Sequence, residues 1–311
     1  MMSSGFIKRI INNTPYLAWL DDELNLSIVR DACPHRNYPL SSGHVKNGLL
    51  TCAYHGHQYS SSGEIQRIPG LDTCPKFRLK KYNYKIVSDL IFIQLNSDRD
   101  FPSFHFLNDY LTTQLEFKIN AVPFNIIENT LDPFHVPFVH KPFVTNRLGK
   151  MVHLICKKVK NSFETLNINE GKQTGLFSQI FGSEDDIGYE RYIHPGILQL
   201  EYKRSNTPLM LINTFLIPEN EQITRVFLNV QYKPLPFKLG RVLKPFLNLY
   251  IKLITIQDIK ILETQAENLK DLNLNTFANS EADYALSPLI EIIETNGNAT
   301  EETFEINFKL P

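Results

Sequence analysis

The stretch Cys33-Pro34-His35-Arg36-Asn37-Tyr38-Pro39-Leu40-Ser41-Ser42-Gly43-His44-Val45 runs on to Gly48-Leu49-Leu50-Thr51-Cys52-Ala53-Tyr54-His55-Gly56, and its reading decides the rest. It holds two donor pairs, Cys33/His35 and Cys52/His55, with sixteen residues between His35 and Cys52. Each pair offers one thiolate and one imidazole. Two Cys and two His can hold a [2Fe–2S] cluster in which histidines replace cysteines on one iron, a change that removes negative charge and raises the potential. The same four donors suit tetrahedral zinc. Zinc sites usually pair Cys with Cys and His with His along the sequence, whereas both pairs here are mixed, which favours the cluster. Pro34, Pro39, Gly43 and Gly56 supply the tight turns that place each pair at the tip of a hairpin loop.

Length and composition bound the remainder. The chain has 311 residues, enough for two domains, and 42% of them are hydrophobic, enough for a real core. The formal net charge is −1 with no long basic stripe, so nucleic-acid binding has no electrostatic support. Two of the four cysteines are taken by the donor pairs. Cys74 and Cys156 read as buried free thiols rather than a disulfide, because an iron–sulfur protein works in a reducing compartment. The start, Met1-Met-Ser-Ser-Gly-Phe-Ile-Lys-Arg, lacks the apolar run of a signal peptide. No apolar stretch reaches the length of a membrane span, and the most hydrophobic helical region, about Leu243 to Ile256, is broken by Lys244, Asn248 and Lys252. The expected location is the cytoplasm, where the sequons Asn12-Asn13-Thr14 and Asn298-Ala299-Thr300 carry no meaning.

Residues 6 to 96 read as short strands between turns. Tyr16 to Leu20 ends at the acidic turn Asp21-Asp22-Glu23, Leu24 to Val29 alternates, and Tyr84 to Val87 and Leu90 to Leu95 flank Ser88-Asp89 as a hairpin. Asn96 to about Glu116 reads as linker and first crossing segment. Asn125 to Val139 begins as a helix and ends at Pro133 and Pro137. Strand patterns return from 151 to 233, in Thr165 to Ile168, Ile197 to Tyr202 and Arg225 to Val230. After a turn at Pro234 to Gly240, Arg241 to Leu272 takes the helical period. Phe143, Phe177, Phe181 and Phe215 read mostly as core.

A second constellation lies in Glu128-Asn129-Thr130-Leu131-Asp132-Pro133-Phe134-His135-Val136-Pro137-Phe138-Val139-His140. On a helix, Asp132 and His135 would share a face, while Pro137 breaks regular helix and can swing His140 back toward His135. A carboxylate from elsewhere would complete a two-His-one-carboxylate face, which binds Fe(II) and leaves open positions. Taken alone, two histidines at this spacing are a weak signal.

The cluster segment resembles the Rieske domain of the Rieske non-haem iron oxygenases, and Asp132-x2-His135-x4-His140 downstream resembles the catalytic domain of the same family. The resemblance spans roughly residues 16 to 275. It implies an α+β chain: an N-terminal all-β Rieske [2Fe–2S] domain (1–100), then a helix-grip (START-like) catalytic domain (101–311) with a curved antiparallel sheet and a long C-terminal helix. It implies that Cys33, His35, Cys52 and His55 hold one [2Fe–2S] cluster per subunit. His135 and His140 become ligands of one mononuclear Fe(II), and Asp132 becomes the electron-transfer bridge to the Rieske centre of a neighbouring subunit, hence a homotrimer. The third ligand in the family is an aspartate on the long helix. Gln257-Asp258-Ile-Lys-Ile-Leu-Glu263-Thr-Gln265 resembles that segment, which selects Asp258, with Glu263 as the alternative. Asn129 suits either a hydrogen-bonding role near the iron or a plain helix residue.

The resemblance implies an enzyme that takes O2 as co-substrate and hydroxylates or oxidatively demethylates a small organic substrate. The length and the ending after one helix and a short tail resemble the shorter monooxygenase and demethylase branch rather than the ring-dihydroxylating dioxygenases. A ferredoxin or flavin reductase must donate electrons, since no Gly-x-Gly-x-x-Gly fingerprint is present. Two departures stand out. His57 occupies a position where relatives usually carry Trp, and the aromatic-rich segment that relatives place before the first Rieske strand is represented only by about Phe6 to Thr14. The rival readings are a Rieske electron carrier and a helix-grip ligand-binding protein without catalysis. The membrane cytochrome-complex class is excluded because Arg36, Asn37 and Tyr38 follow His35, where that class adds a disulfide cysteine.

Overall fold

The computed structural model describes residues 5–96, 100–140, 151–167, 186–204, 207–234, 239–273 and 277–309. Phe143, Phe177 and Phe181 lie outside them. The chain divides into two compact units, Met1–Phe101 and Pro102–Pro311.

The first unit is all β. β1 (Phe6–Ile11), β2 (Thr14–Leu20) and β3 (Leu26–Arg30) form an antiparallel meander. Its first turn places Asn12 and Asn13 at positive φ, a conformation that Asn tolerates and that matches the twist of a two-residue hairpin. The acidic turn after β2 is built as the sequence suggests: one Asp21 carboxylate oxygen accepts both the Glu23 and the Asn25 N–H. β4 (His44–Lys46), β5 (Leu49–Thr51), β6 (Gln58–Tyr59) and β7 (Ile65–Arg67) make a second sheet. β8 (Asn83–Val87) and β9 (Leu90–Gln94) make the expected hairpin around Ser88-Asp89.

Leu17, Trp19, Val29, Leu40, Leu50, Tyr59, Ile65 and Leu79 form one core, and Cys33 and Cys52 belong to it. Cys74, expected to be buried, lies exposed: its neighbours Asp72, Thr73 and Pro75 are exposed too, so no core exists there to receive it. Gly43 is needed for close approach rather than for turning. Its φ is −95°, but a Cβ there would lie 1.9 Å from the Thr51 carbonyl oxygen of β5.

In the second unit, β10 (Leu111–Ile119), β11 (Met151–Val159), β12 (Ser162–Asn167), β13 (Asp186–Ile193), β14 (Ile197–Arg204), β15 (Thr207–Pro218), β16 (Thr224–Tyr232) and β17 (Glu302–Lys309) form one antiparallel sheet. The order is β10-β16-β15-β14-β13-β12-β11-β17. The helices among the described residues are α1 (Pro123–Leu131), α2 (Val136–Val139), α3 (Leu239–Leu272) and α4 (Leu286–Glu294). α1 starts with Pro at its first position, where the missing N–H costs nothing. Ile126, Ile127 and Leu131 of α1, Leu262 of α3 and Leu289 and Ile292 of α4 pack into the core with Leu154, Cys156, Phe163, Leu198 and Val226 of the sheet. Cys156 is a buried free thiol, as expected.

Two expectations need correction. The chain does not end in a short tail after the long helix. Leu286-Ser-Pro-Leu-Ile-Glu-Ile-Ile-Glu forms α4, and the alternating Thr303-Phe-Glu-Ile-Asn-Phe forms β17, which extends the sheet beside β11. Nor do Asp132 and His135 share a helix: α1 stops at Leu131, as the Pro at 133 requires, and Asp132 is its extended C-cap. No helix of the described residues is long and apolar enough to cross a membrane.

Gly43→Ala is expected to cost about 3 kcal/mol or more, because the β5 backbone cannot yield to the new methyl group. A thermal melt should show the midpoint falling by roughly 6–12 °C.

Candidate functional site

In the first unit, both cysteine loops close with the same two backbone hydrogen bonds. The Asn37 N–H donates to the Cys33 carbonyl (2.7 Å) and the Cys33 N–H to the Tyr38 carbonyl (2.9 Å). In the second loop the Gly56 N–H donates to the Cys52 carbonyl (3.0 Å) and the Cys52 N–H to the His57 carbonyl (2.9 Å). The residue four after each cysteine, Asn37 (φ 54°) or Gly56 (φ 68°), is left-handed. Asn37 therefore turns the first loop, a role that inspection of Pro34 and Pro39 misses. Asp31 holds the base of that loop. Its buried carboxylate accepts the Ser41 N–H (2.7 Å) and hydroxyl (2.6 Å) and pairs with Lys8 (2.7 Å). Burial would raise the Asp31 carboxyl, but Lys8 and Ser41 outweigh it and hold it below the usual range.

The loops bring the four predicted donors together. Cys33 and Cys52 are 1% and 2% exposed, and the His35 and His55 rings meet edge to face with centroids 4.6 Å apart. Burial, opposed by the Tyr54 N–H and reinforced by the adjacent Cys33, pushes the Cys52 thiol up. Two neighbouring thiols in an apolar core, capped by two imidazoles at the surface, are a donor set that an iron–sulfur cluster fits: its positive metal ions favour the thiolate form that burial alone opposes. The Tyr59 hydroxyl lies 3.2 Å from the Cys33 sulfur. Against a thiolate only the hydroxyl can donate, so Tyr59 supports that ligand. Nothing local in the sequence marks Tyr59 for this role, since the contact joins residues 26 apart.

His57 is 5% exposed and stacks on His35, with centroids 4.6 Å apart at 27°, and the Phe77 ring lies 6.1 Å away. Its Nδ1 is buried without a hydrogen-bond partner among the described residues. The ring thus backs the His35 imidazole as a flat support.

In the second unit, α2 carries His135 as its N-cap and His140 as its C-cap. The turn before it is fixed by Asp132, whose carboxylate accepts the Phe134 N–H at 2.7 Å. The Tyr284 hydroxyl donates to the Leu131 carbonyl (2.7 Å) and so anchors the end of α1 next to Asp132. α3 brings Asp258 between the two imidazoles: its Oδ1 lies 3.2 Å from His140 Nε2 and 3.5 Å from His135 Nε2. Donor atoms of His135, His140 and Asp258 all lie within 4.8 Å of one another, the only such group of three or more His, Cys, Asp and Glu among the described residues.

Gln257 Oε1 accepts from His140 Nδ1 at 3.1 Å, which leaves Nε2 as the lone-pair nitrogen facing Asp258. Nothing local in the sequence marks Gln257 for that task. Glu263, the alternative carboxylate, is engaged elsewhere, accepting the backbone and side-chain N–H groups of Asn120, both at 2.9 Å. Asn129 offers its carbonyl to the Asp132 N–H.

The donor set fits a cation. Asp258 Oδ1 and His135 Nδ1 are buried without a hydrogen-bond partner among the described residues. Asp132 Oδ2 stands 3.6 Å from His135 Nδ1, too long for a direct hydrogen bond but close enough for charge attraction. Burial lowers the His135 imidazole, yet Asp132 and Asp258 outweigh burial and raise it to about 9. A proton therefore stands in for a metal ion in the metal-free protein.

Two outcomes follow from this geometry. His57→Ala is expected to release cluster iron to a chelator about 10-fold faster and to shift the cluster EPR signal, while His57→Phe, which keeps a flat ring against His35, preserves both. In the mononuclear site, metal-free His135 is protonated below its raised pKa, so its ion pairing stabilises the fold at neutral pH and fades as pH rises through about 9. Fe(II) must displace that proton. Its apparent affinity in an anaerobic titration should rise about tenfold per pH unit between 7 and 9, with one proton released per ion.

Comparison with known proteins agrees in both units. The Rieske [2Fe-2S] domain family matches residues 3–82, and the vanillate O-demethylase oxygenase C-terminal domain family matches residues 119–286. The chain is 31% identical to methylxanthine N1-demethylase NdmA of Pseudomonas putida over 141 residues, covering 42% of this chain and 40% of that protein. It is 27% identical to the chloroplastic protochlorophyllide-dependent translocon component 52 of Arabidopsis thaliana over 237 residues, 65% of this chain and 42% of that one. To the 4beta-methylsterol monooxygenase of Methylococcus capsulatus it is 25% identical, covering 68% of this chain and 59% of that protein. These matches thus span between two and three fifths of the curated relatives' own length. The fold is that of dicamba monooxygenase bound to dicamba, with a TM-score of 0.74 at 17% identity over 94% of this chain and 93% of that one.

Proposed function

The chain belongs to the Rieske-type oxygenases, and from that premise we propose that it is an oxygenase component that hydroxylates or oxidatively demethylates a small organic substrate, monooxygenase-like rather than ring-dihydroxylating. The observation that carries this reading is the convergence of His135, His140 and Asp258, with orphaned buried atoms on His135 and Asp258. An electron carrier has no use for such a set. When bound, the cluster supplies single electrons and the mononuclear Fe(II) activates dioxygen.

The residues divide the remaining work. Cys33, Cys52, His35 and His55 hold the cluster, with Tyr59 donating to the Cys33 sulfur. His135, His140 and Asp258 would hold the Fe(II), a two-His-one-carboxylate set suited to dioxygen activation. Gln257 fixes the tautomer and aim of His140. Asp132 sits against the outer nitrogen of His135 and is half-buried, so one carboxylate oxygen can receive an imidazole N–H of a neighbouring subunit while the other holds the α2 turn. That role calls for a homotrimer in which each Rieske unit serves the next subunit's iron. A ferredoxin or flavin reductase supplies electrons, and the expected location is the cytoplasm, with a chloroplast the alternative in view of the Arabidopsis relative.

Metal analysis and EPR of anaerobically purified protein should give about three irons per chain, two in the cluster and one mononuclear. His135→Ala should lose one iron and keep the cluster signal; unchanged iron content in that variant defeats the reading. Asp132→Asn should keep all three irons while donor-driven turnover falls about 100-fold, and retained turnover refutes the bridge.

A further inference from the structure

The Rieske unit carries a feature that ligation does not explain. A groove of about 360 Å³ opens between the β3 end, the first cysteine loop and the strand-like segment before β8. Arg30, Arg78 and Lys80 line it, together with Pro34, Asn37 and Tyr82. All three cations are exposed, and none forms an ion pair among the described residues. Lys80 rests its ammonium 5.6 Å above the Tyr82 ring, so its stem is held while its charge faces the groove. No carboxylate lines the groove to neutralise them.

The charge belongs to this unit and not to the chain as a whole. Residues 1–101 contain twelve Lys and Arg against nine Asp and Glu, a net of +3, whereas residues 102–311 contain twenty against twenty-four, a net of −4. Unpaired cations repel one another and cost stability unless a counter-charge arrives. Position gives the counter-charge a purpose. Pro34 and Asn37 lie within the loop that begins at Cys33, on either side of His35. Whatever docks in the groove rests against the loop that carries Cys33 and His35, through its Pro34 and Asn37.

We propose that this groove is the docking site for an acidic electron-donor protein of the ferredoxin class, which delivers one electron from its own reduced iron–sulfur centre to the oxidised cluster beside Cys33. The inference rests on the cluster assignment and names the surface through which that cluster is filled. The donor is oxidised by one electron and the cluster reduced by one, with no atom transferred. Arg30, Arg78 and Lys80 steer and orient the encounter, so their effect falls with salt: exposed charges are screened beyond about 8–10 Å at 0.1–0.15 M ionic strength.

The test uses the cluster-loaded full chain and a reduced plant-type ferredoxin as the probe, with cluster reduction followed by stopped-flow absorbance and binding by a direct titration. At low salt the wild-type second-order rate should fall steeply as salt is added. The double variant R78E/K80E should bind more weakly and be reduced about 10-fold or more slowly at low salt, converging on the wild type at high salt. Its iron content, EPR spectrum and reduction by dithionite should be unchanged, and Lys46→Glu, which changes total charge outside the groove, should have little effect. The docking proposal is overturned if the double variant is reduced as fast as the wild type at low salt, if its defect persists equally at high salt, or if the ferredoxin fails to reduce a cluster that dithionite reduces. Tight binding of pyrophosphate that R78E/K80E abolishes would instead make the groove a small-anion pocket. Absence of a cluster signal in the wild type would defeat the cluster assignment itself, a result distinct from all of these.

Discussion

A carboxylate held between two imidazoles organises the larger unit. Asp258 cannot sit there without compensation, because a half-buried charge loses hydration that something must replace. In the metal-free protein the replacement is a proton on His135; a cation held by the three side chains would serve the same end. Either way, α3 is tied to the α1–α2 segment at this point. Glu263, five residues further along α3, ties the same helix to Asn120 just ahead of α1. One helix thus pins both ends of α1, and the Tyr284 hydroxyl fixes its C-terminal carbonyl from a third direction. The short α2 needs no stability of its own, because its two caps are the groups being held.

The smaller unit solves a different problem. Its cysteines are core residues, packed with Leu17, Trp19, Leu40 and Leu50, while the histidines face outward. Hairpin loops provide this division cheaply: each cysteine backbone is locked by two hydrogen bonds, and the ring two or three residues on is left to the surface. A cluster held by these four side chains would have a buried cysteine side of low dielectric and a more open histidine side.

Much of this was legible in the sequence because it is local. The mixed ligand pairs, the β8–β9 hairpin and the long helical period of α3 depend on neighbours within a few residues. The choice of Asp258 over Glu263 was legible only through resemblance, since both lie on one helix and periodicity does not say which side chain meets a histidine more than a hundred residues earlier. What escaped was tertiary or depended on turn chemistry. Pro133 ends α1 one residue before Asp132 could join it, so Asp132 and His135 meet through an Asp-turn and not along a helix face. Tyr59, Gln257 and the close approach at Gly43 are contacts between separate segments, invisible to composition. α4 and β17 were overlooked because a nine-residue helix and an eight-residue strand after a long helix resemble a tail until a partner strand is supplied.

That partner has a further consequence for how the protein is made. β17 pairs with β11, joining residues such as His153 and Glu305 that are 152 apart in sequence. A nascent chain that has emerged only through β16 holds seven strands with β11 as a bare edge, rich in Ile155 and Val159 and open to pairing with another chain. It also lacks Tyr284 and α4, and so the lid over the Leu131 side of the core. Closure of so non-local a sheet is slow and exposes the intermediate to aggregation. The Rieske unit, whose contacts are complete by residue 101, need not wait for that strand. During synthesis the first unit can therefore fold first, while the eight-stranded sheet of the second closes only when β17, from the far end of the described residues, has paired with β11.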